Sequence, residues 1–261
     1  MTAITWDGLQ FNIRLDGPEG APWLVFSNSL LTNLSLWDHQ VAALSGRFRI
    51  LRYDQRGHGG TQVPRGPATI AQLANDIEGI MDQLGIASAH FVGVSMGAAT
   101  GIALAQHNPG RVARLLCADG NAATPPGGAQ GWEERITAAR RDGIKALADA
   151  TLARWFASPT SPAIPAVRAM IEGTALDGFV ACTRALQDYD FRPGLAEMRM
   201  PVLFVAGSAD GVMPGTMSLL AKAVPGARYQ EIPDAGHLPC IEQAAAFTAV
   251  LSAFLSGTDS V

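Results

Sequence analysis

The stretch HFVGVSMGAAT, residues 90–100, places Ser95 between two glycines, Gly93 and Gly97. An apolar run typical of a buried strand enters this stretch, and small residues typical of a closely packed helix follow it. A sharp turn from strand to helix strains the serine backbone and brings other chain segments close, which excludes side chains on both sides. The stretch therefore predicts a nucleophile elbow, with Ser95 at the top of a sheet.

Short apolar runs alternate with helical patterns along most of the chain. Strands are predicted at residues 23–28, 48–54, 89–94, 112–119, 201–210 and 227–237. Helices are predicted at residues 69–85, 96–107 and 242–257. Strands that alternate with helices form βαβ units, so we expect an α/β fold with a mostly parallel central sheet flanked by helices.

Residues 121–200 break this alternation, because their pattern is almost wholly helical or irregular and rich in proline and glycine. An insertion at the carboxyl ends of the strands would lie over the ligand crevice of an open α/β sheet. We predict a core formed by residues 1–120 and 201–261 and a helical lid formed by residues 121–200. Packing helices without a ligand role fit the same pattern.

Composition and charge narrow the class of protein. Hydrophobic residues make up 48% of the chain and charged residues 16%, which predicts a globular protein. A net charge of -4 disfavours nucleic acid as the main partner. The three cysteines are scattered, so neither a disulfide framework nor a metal site is predicted. Without a pattern for a secretory signal or a membrane-spanning segment, we expect a cytoplasmic protein with no membrane partner. The oligomeric state stays open.

A serine nucleophile needs a base, and the histidines differ in their surroundings. His237 lies in a glycine-bounded loop after the last predicted strand, from which an imidazole can reach across the top of the sheet. His90 enters a buried strand and His107 lies late in a helix, positions that suit structural roles. His58 lies in a turn after a strand. We therefore predict His237 as the base.

The base needs a carboxylate that orients it. Asp210 follows a strand pattern and lies at the same end of the sheet as Ser95. Its turn ends in Pro214, and we favour Asp210 as the acid on that ground. Asp119, which closes the preceding strand, is the alternative.

The developing oxyanion needs two N–H donors. One is predicted to be the residue after the nucleophile, Met96, and the other Leu30, in the loop after the first core strand. The alternative is that this loop only packs.

Four motifs resemble those of the α/β-hydrolase fold superfamily: GVSMG, YDQRGHG, GSADGVMP and DAGHLPCIEQ. Ser95, Asp210 and His237 follow one another along the chain in the order that is typical of this superfamily. More narrowly, SNSLLTNLSLWDHQVAAL and RFRILRYDQRGHG are similar to 3-oxoadipate enol-lactonases, which hydrolyse an enol-lactone in bacterial aromatic degradation. The resemblance covers nearly the whole chain. It implies an α/β-hydrolase fold and a serine hydrolase that cleaves a carboxylic ester or lactone through an acyl-enzyme, with no cofactor.

Two positions depart from the enol-lactonase pattern. Leu31 stands where that family usually has a glycine in the oxyanion loop, and Asp119 stands where a neutral polar residue is expected. Both departures fall near the predicted pocket, so they bear on the substrate and not on the class of reaction.

Substrate recognition is assigned to the insertion. Trp132 is predicted as a pocket wall because it opens the insertion, although a packing role fits it equally. A lactone with a free carboxylate would need one arginine facing inward, whereas arginines on a solvated helix face would have no such role. The candidates are Arg135, Arg140, Arg141, Arg154 and Arg184.

Other functions remain as alternatives. A general carboxylesterase or a cofactor-free, perhydrolase-like enzyme would use the same residues. A haloalkane dehalogenase would carry aspartate in place of Ser95. A non-catalytic ligand-binding protein on the same fold is disfavoured by the intact set Ser95, Asp210 and His237.

Overall fold

The computed structural model describes residues 2–257, which form one eight-stranded sheet with helices around it. The outermost ends of the predicted core, Met1 and residues 258–261, lie outside the described residues. The strands are β1 Thr2–Trp6, β2 Leu9–Asp16, β3 Trp23–Ser27, β4 Arg49–Tyr53, β5 Ala89–Val94, β6 Val112–Ala118, β7 Val202–Gly207 and β8 Arg228–Ile232. They lie side by side in the order β1-β2-β4-β3-β5-β6-β7-β8.

Ten α-helices surround this sheet in the described part of the chain. They are α1 Asp38–Leu44, α2 Ile70–Gln83, α3 Met96–His107, α4 Gly128–Asp142, α5 Ala148–Trp155, α6 Ile164–Glu172, α7 Leu176–Gln187, α8 Met213–Ala223, α9 Pro239–Glu242 and α10 Ala244–Ser256. Short 3-10 helices occur at Leu34–Trp37, Pro109–Arg111, Ile144–Leu147 and Arg192–Glu197.

The predicted α/β fold with a mostly parallel sheet is confirmed. From β4 to β8 every pair of neighbouring strands is parallel, while β1 and β2 pair antiparallel at one edge. The prediction missed those two strands. Their signal was present, since β2 alternates between buried Leu9, Phe11 and Ile13 and exposed Gln10 and Arg14, the period of a half-buried strand.

The register of the central strands determines where the site forms. Ser27 of β3 lies beside Gly93 of β5, and Ala118 of β6 lies beside Val94 of β5 and Val205 of β7. The carboxyl ends of these strands therefore meet at one edge of the sheet. The predicted strands 201–210 and 227–237 are shorter in the structure and end at Gly207 and Ile232, because the chain leaves the sheet there to form loops at this edge.

Helix α3 packs unusually close to the sheet. A Cβ on Gly97 would overlap the carbonyl oxygen of Ser27, and one on Gly93 would overlap that of Gly97. Ten of its residues, from Met96 to Ala105, are buried. Glycines are therefore required on both sides of Ser95, because a larger side chain there would keep α3 from packing this close to the sheet.

The segment between β6 and β7 contains α4, α5, α6 and α7. It touches the sheet edge through α5, because the backbone N–H of His237 donates to the carbonyl of Trp155 at 2.8 Å. No helix in residues 2–257 has both the length and the apolarity needed to cross a membrane.

Candidate active site

Ser95 lies at the turn between β5 and α3 with a strained backbone. Its φ of 57° and ψ of -115° fall in a region that non-glycine residues rarely adopt. Its N–H donates to the carbonyl of Ala118 at 2.8 Å, which ties the turn to the neighbouring strand. The strain and the crowded glycines are the geometry of a nucleophile elbow.

His237 and Asp210 meet at the same edge of the sheet. Nδ1 of His237 lies 2.7 Å from Oδ2 of Asp210, and the two side chains are only 15% and 10% exposed. The carboxylate is an acceptor, so Nδ1 carries the hydrogen and Nε2 remains available as a base. The indole of Trp155 stacks on the imidazole, with ring centroids 5.6 Å apart, and holds its plane.

Ser95 and His237 line one cavity of about 800 Å³. Within residues 2–257 no hydrogen bond joins the Ser95 hydroxyl to the imidazole. Hydrogen bonds between a nucleophile and its base are often long in the absence of substrate and tighten when the substrate binds. The predicted nucleophile and base therefore share a cavity, and the predicted acid is bonded to the base.

Asp119 occupies a different position from Asp210. Its carboxyl group is 1% exposed and accepts the N–H of Gly207 at 3.0 Å. Burial, followed by the charge of Asp210, raises the pKa of Asp119 well above its usual range. In the part of the chain that the structure describes, Asp119 makes no hydrogen bond to His237. The structure thus brings Asp210, and not the alternative Asp119, to the imidazole.

The predicted oxyanion donors both border the cavity. Met96 is the first residue of α3, and Leu30 lies in the loop after β3. Neither backbone N–H has an acceptor among the described residues, so both are available to a ligand. The loop after β3 is held in place by the side chain of Asn28, which donates to the carbonyl of Tyr53 and accepts from the indole N–H of Trp37.

The insertion lines the other side of the cavity. Trp132 borders it from α4, and the guanidinium of Arg135 lies 4.8 Å from the centre of the Trp132 ring. Arg154 borders it from α5. Burial, reinforced by the charge of Arg154, lowers the pKa of Arg135 to about 9, so the group stays charged at neutral pH. Among residues 2–257 neither arginine has a carboxylate within salt-bridge distance, which leaves two cations facing the cavity.

The other candidate arginines do not line this cavity. Arg141 pairs with Asp142 at 2.6 Å, and Arg184 pairs with Glu133. Arg140 is exposed. The structure therefore separates two arginines that line the cavity, the half-buried Arg135 and the exposed Arg154, from three that do not line it.

Sequence reasoning missed several residues of the cavity. Trp155 was not predicted as part of the site, although its indole stacks on the imidazole of His237. Tyr189 and Ser29 also line the cavity, and the buried Ser29 hydroxyl has no hydrogen-bond partner in the described part of the chain. No local pattern marks these positions, because their neighbours in space are distant in sequence.

The three other histidines considered from the sequence do not line the cavity. His58 is buried, and its Nδ1 lies 3.1 Å from the carbonyl of Arg56. Burial lowers its pKa to about 4, so the imidazole is neutral. His90 packs its ring edge-on against Phe48 within the sheet layer, and His107 is exposed at the end of α3.

A parallel α/β sheet with a serine elbow after one central strand, and an Asp–His pair from later loops at the same edge, defines the architecture of a serine hydrolase. Comparison with known proteins agrees with this class. The profile described as alpha/beta hydrolase fold matches residues 22–244, and the chain belongs to that family.

Relatives specify the class of enzyme further. A 3-oxoadipate enol-lactonase of Acinetobacter baylyi is 34% identical over 258 residues, which cover 97% of this chain and 95% of that protein. The crystal structure of the enol-lactonase from Burkholderia xenovorans superposes with a TM-score of 0.90 at 42% identity, covering 98% of this chain and 100% of that one. A thermophilic esterase from Thermogutta terrifontis superposes with a TM-score of 0.90 at 26% identity, covering 99% and 98%. The predicted class, an enzyme that hydrolyses esters or lactones, is confirmed.

Proposed function

We propose that this enzyme opens a small enol-lactone that carries a free carboxylate, such as 3-oxoadipate enol-lactone, through an acyl-enzyme on Ser95. The observation that carries the proposal is that two cations, Arg135 and Arg154, line the Ser95 cavity, with no carboxylate within salt-bridge distance of either among residues 2–257. The enol-lactonase relatives support the same substrate class.

The catalytic steps follow from the positions of three side chains. Asp210 accepts the Nδ1–H of His237, so Nε2 takes the proton of the Ser95 hydroxyl as its oxygen attacks the lactone carbonyl. The N–H groups of Leu30 and Met96 stabilise the oxyanion. When the ring C–O bond breaks, the imidazolium returns the proton to the leaving enolate oxygen. The ring is then open, and the acid remains esterified to Ser95.

Hydrolysis of the acyl-enzyme reverses these roles. His237 removes a proton from water, and the resulting hydroxide attacks the ester carbonyl with the oxyanion in the same site. The proton then passes from the imidazolium to the Ser95 oxygen, and the product leaves as a carboxylate.

Substrate orientation is assigned to the lid, residues 121–200. Trp132 forms one wall of the cavity, and the guanidinium that stacks on it belongs to Arg135. A carboxylate held by an arginine in a partly dry cavity gains about 1.5–3 kcal/mol, or roughly one to two decades in rate discrimination. A neutral ester gains nothing from the same contact.

The lid arginines provide the test of the substrate. Arg135→Ala and Arg154→Ala are compared with Arg141→Ala, a lid variant outside the cavity. The ratio of kcat/KM for a carboxylate-bearing enol-lactone to that for a neutral short-chain ester should fall about 10- to 100-fold in at least one cavity variant. It should not change in Arg141→Ala.

An unchanged ratio in both cavity variants, and in their double variant, would favour the second candidate, a general carboxylesterase. The esterase relative and the size of the cavity support that alternative. Ser95→Ala tests what both candidates share, because it should abolish covalent labelling by a serine-directed phosphonate while the protein stays folded. Labelling of a different residue in the wild type would remove Ser95 as the nucleophile.

The small-molecule ester or lactone is the partner that this proposal requires, and neither nucleic acid nor a membrane surface is part of it. A cytoplasmic location fits the three unpaired, buried cysteines, Cys117, Cys182 and Cys240.

A further inference from the structure

Asp119 and Asp210 follow the ends of neighbouring parallel strands, so their carboxyl groups lie side by side. The N–H of Asp119 donates to the carbonyl of Val205 in β7, and the N–H of Asp210 donates to the carbonyl of Gly207. Gly207 in turn donates its own N–H to the Asp119 carboxyl group. This backbone frame brings both residues to the wall of one cavity, where the charge of Asp210 acts on the Asp119 carboxyl group.

Two neighbouring buried carboxyl groups resist a second charge, because their charges repel in a poorly solvated site. Asp210 has the partners of a carboxylate: it accepts the Nδ1–H of His237, and the cation of Arg154 on α5 acts on it.

The surroundings of Asp119 favour its neutral form. It is 1% exposed, and its backbone donor is a single N–H from Gly207. The ionisable groups facing it from β8 and α9 are Tyr229 and Cys240, for which burial raises the pKa, so both are neutral. Its φ of 43° lies in the left-handed region, so its backbone is strained and is held by surrounding contacts.

We propose that Asp119 carries a proton at neutral pH and donates an O–H hydrogen bond to Asp210, and thereby acts as a positioning residue for the carboxylate that orients His237. This inference rests on the proposed function of Asp210 and His237. The Asp119 hydrogen bond fixes the plane of the Asp210 carboxylate, so that Oδ2 stays directed at Nδ1 of the imidazole. A hydrogen bond to a charged acceptor is short and directional, which suits this role.

Infrared difference spectroscopy tests the proton directly. The spectrum of the wild type minus that of Asp119→Asn at pH 7 should contain the carbonyl stretch of a protonated carboxyl group, and the band should shift when the aspartates are labelled with ¹³C. Asp177→Asn, which changes an exposed aspartate on α7, should leave that band unchanged. Absence of the band from the Asp119→Asn difference would overturn the proposal.

Kinetics of three proteins test the positioning role. Asparagine retains both an acceptor for Gly207 and a donor for Asp210, so Asp119→Asn should keep kcat within about threefold of the wild type. Asp119→Ala loses both and should lower kcat about 10- to 100-fold with KM changed less than about threefold. Equal losses in both variants, or no loss in Asp119→Ala, would overturn the proposal.

The two measurements are separable from the proposed function. The infrared band is measured without turnover and requires only the wild type and Asp119→Asn. It therefore tests the protonation of Asp119 even when Asp119→Ala does not fold. Phosphonate labelling of Ser95 tests the proposed function independently. A missing label with the band present would remove the hydrolase assignment of Ser95 and keep the protonated Asp119.

Discussion

Backbone strain at single residues is concentrated around the cavity. Five described non-glycine residues have positive φ, and three of them, Leu31, Ser95 and Asp119, lie at the carboxyl edge of the central strands. Each such conformation costs about 1–3 kcal/mol and persists only where surrounding contacts impose it. Ser95 and Asp119 line the cavity, and Leu31 directly follows Leu30, which also lines it.

Leu31 offers a direct measure of that strain. It is fully buried with φ of 67°, where only glycine is unstrained. Leu31→Ala should lower the free energy of unfolding by about 2–5 kcal/mol through the cavity it leaves. Leu31→Gly should be more stable than Leu31→Ala by about 1 kcal/mol, because glycine relieves the backbone.

The matched control for this comparison is Leu36, which is also fully buried but has no positive φ. There glycine should be the less stable of the two substitutions, by about 0.5–1 kcal/mol. Denaturant unfolding of the four variants measures both differences. The same order of stability at both positions would show that Leu31 is not strained.

Asp210 is the predicted acid, and its substitution should lower activity without loss of the fold. Asp210→Asn preserves shape but removes the charge that fixes the Nδ1–H tautomer of His237. We expect kcat for a lactone or ester to fall about 10⁴-fold with little change in melting temperature. A loss smaller than about tenfold would mean that another group orients the imidazole.

At the scale of elements, α9 joins the insertion to the loop that carries His237. The Glu242 carboxylate accepts three backbone N–H groups, from Ala157 at 3.1 Å, Ser158 at 2.9 Å and Gly236 at 2.8 Å. Two of these donors follow α5 and the third precedes the predicted base. One carboxylate thus fixes the helices over the cavity relative to the imidazole.

Removing that carboxylate should loosen both elements. Glu242→Ala leaves three N–H groups without their acceptor and should lower the free energy of unfolding by about 2–4 kcal/mol, with a fall in kcat as the His237 loop loses its anchor. Glu197→Ala, which removes an exposed glutamate, should change stability by less than about 0.5 kcal/mol. If Glu242→Ala keeps wild-type stability and kcat, the insertion and the loop are held together by other contacts.

For the whole molecule, the buried His58 links stability to pH. Its Nδ1–H donates to the carbonyl of Arg56, and its Nε2 has no partner in residues 2–257, so the fold accepts only the neutral ring. Burial lowers its pKa to about 4, below the value of about 6.5 in the unfolded chain. Between these two pH values the unfolded chain binds a proton at His58 and the folded protein does not. The contribution of neutral His58 to the free energy of unfolding is therefore complete above pH 7 and is lost as the pH falls towards 4.

The difference between the two pKa values corresponds to a loss of about 3 kcal/mol from His58 over this range. Urea unfolding at pH 7 and pH 4 should show that the wild type loses about this much more than His58→Gln does. His107→Gln, which changes an exposed histidine, should retain the wild-type pH dependence. Identical pH dependence in the wild type and His58→Gln would mean that His58 is free to take up a proton in the folded state.

Local patterns were sufficient for most of the fold. Periodicity and glycine placement predicted the elbow at Ser95, six of the strands and the helical segment between β6 and β7, because these features depend on neighbours a few residues apart. Strands β1 and β2 had the same kind of signal and were predictable. No sequence motif predicts that β1 and β2 pair antiparallel at the edge of the sheet.

The sequence by itself determined the types of group that the site contains, a serine in a strained turn and an aspartate and a histidine in later loops. Only the tertiary structure decided which aspartate touches His237, which arginines face the cavity, and that Trp155 stacks on the imidazole. The physical reason is that these contacts join residues far apart in sequence, and strand register and helix packing bring them together at one edge of the sheet. A local pattern encodes the direction of a side chain relative to its own strand or helix, but not the neighbour it meets there.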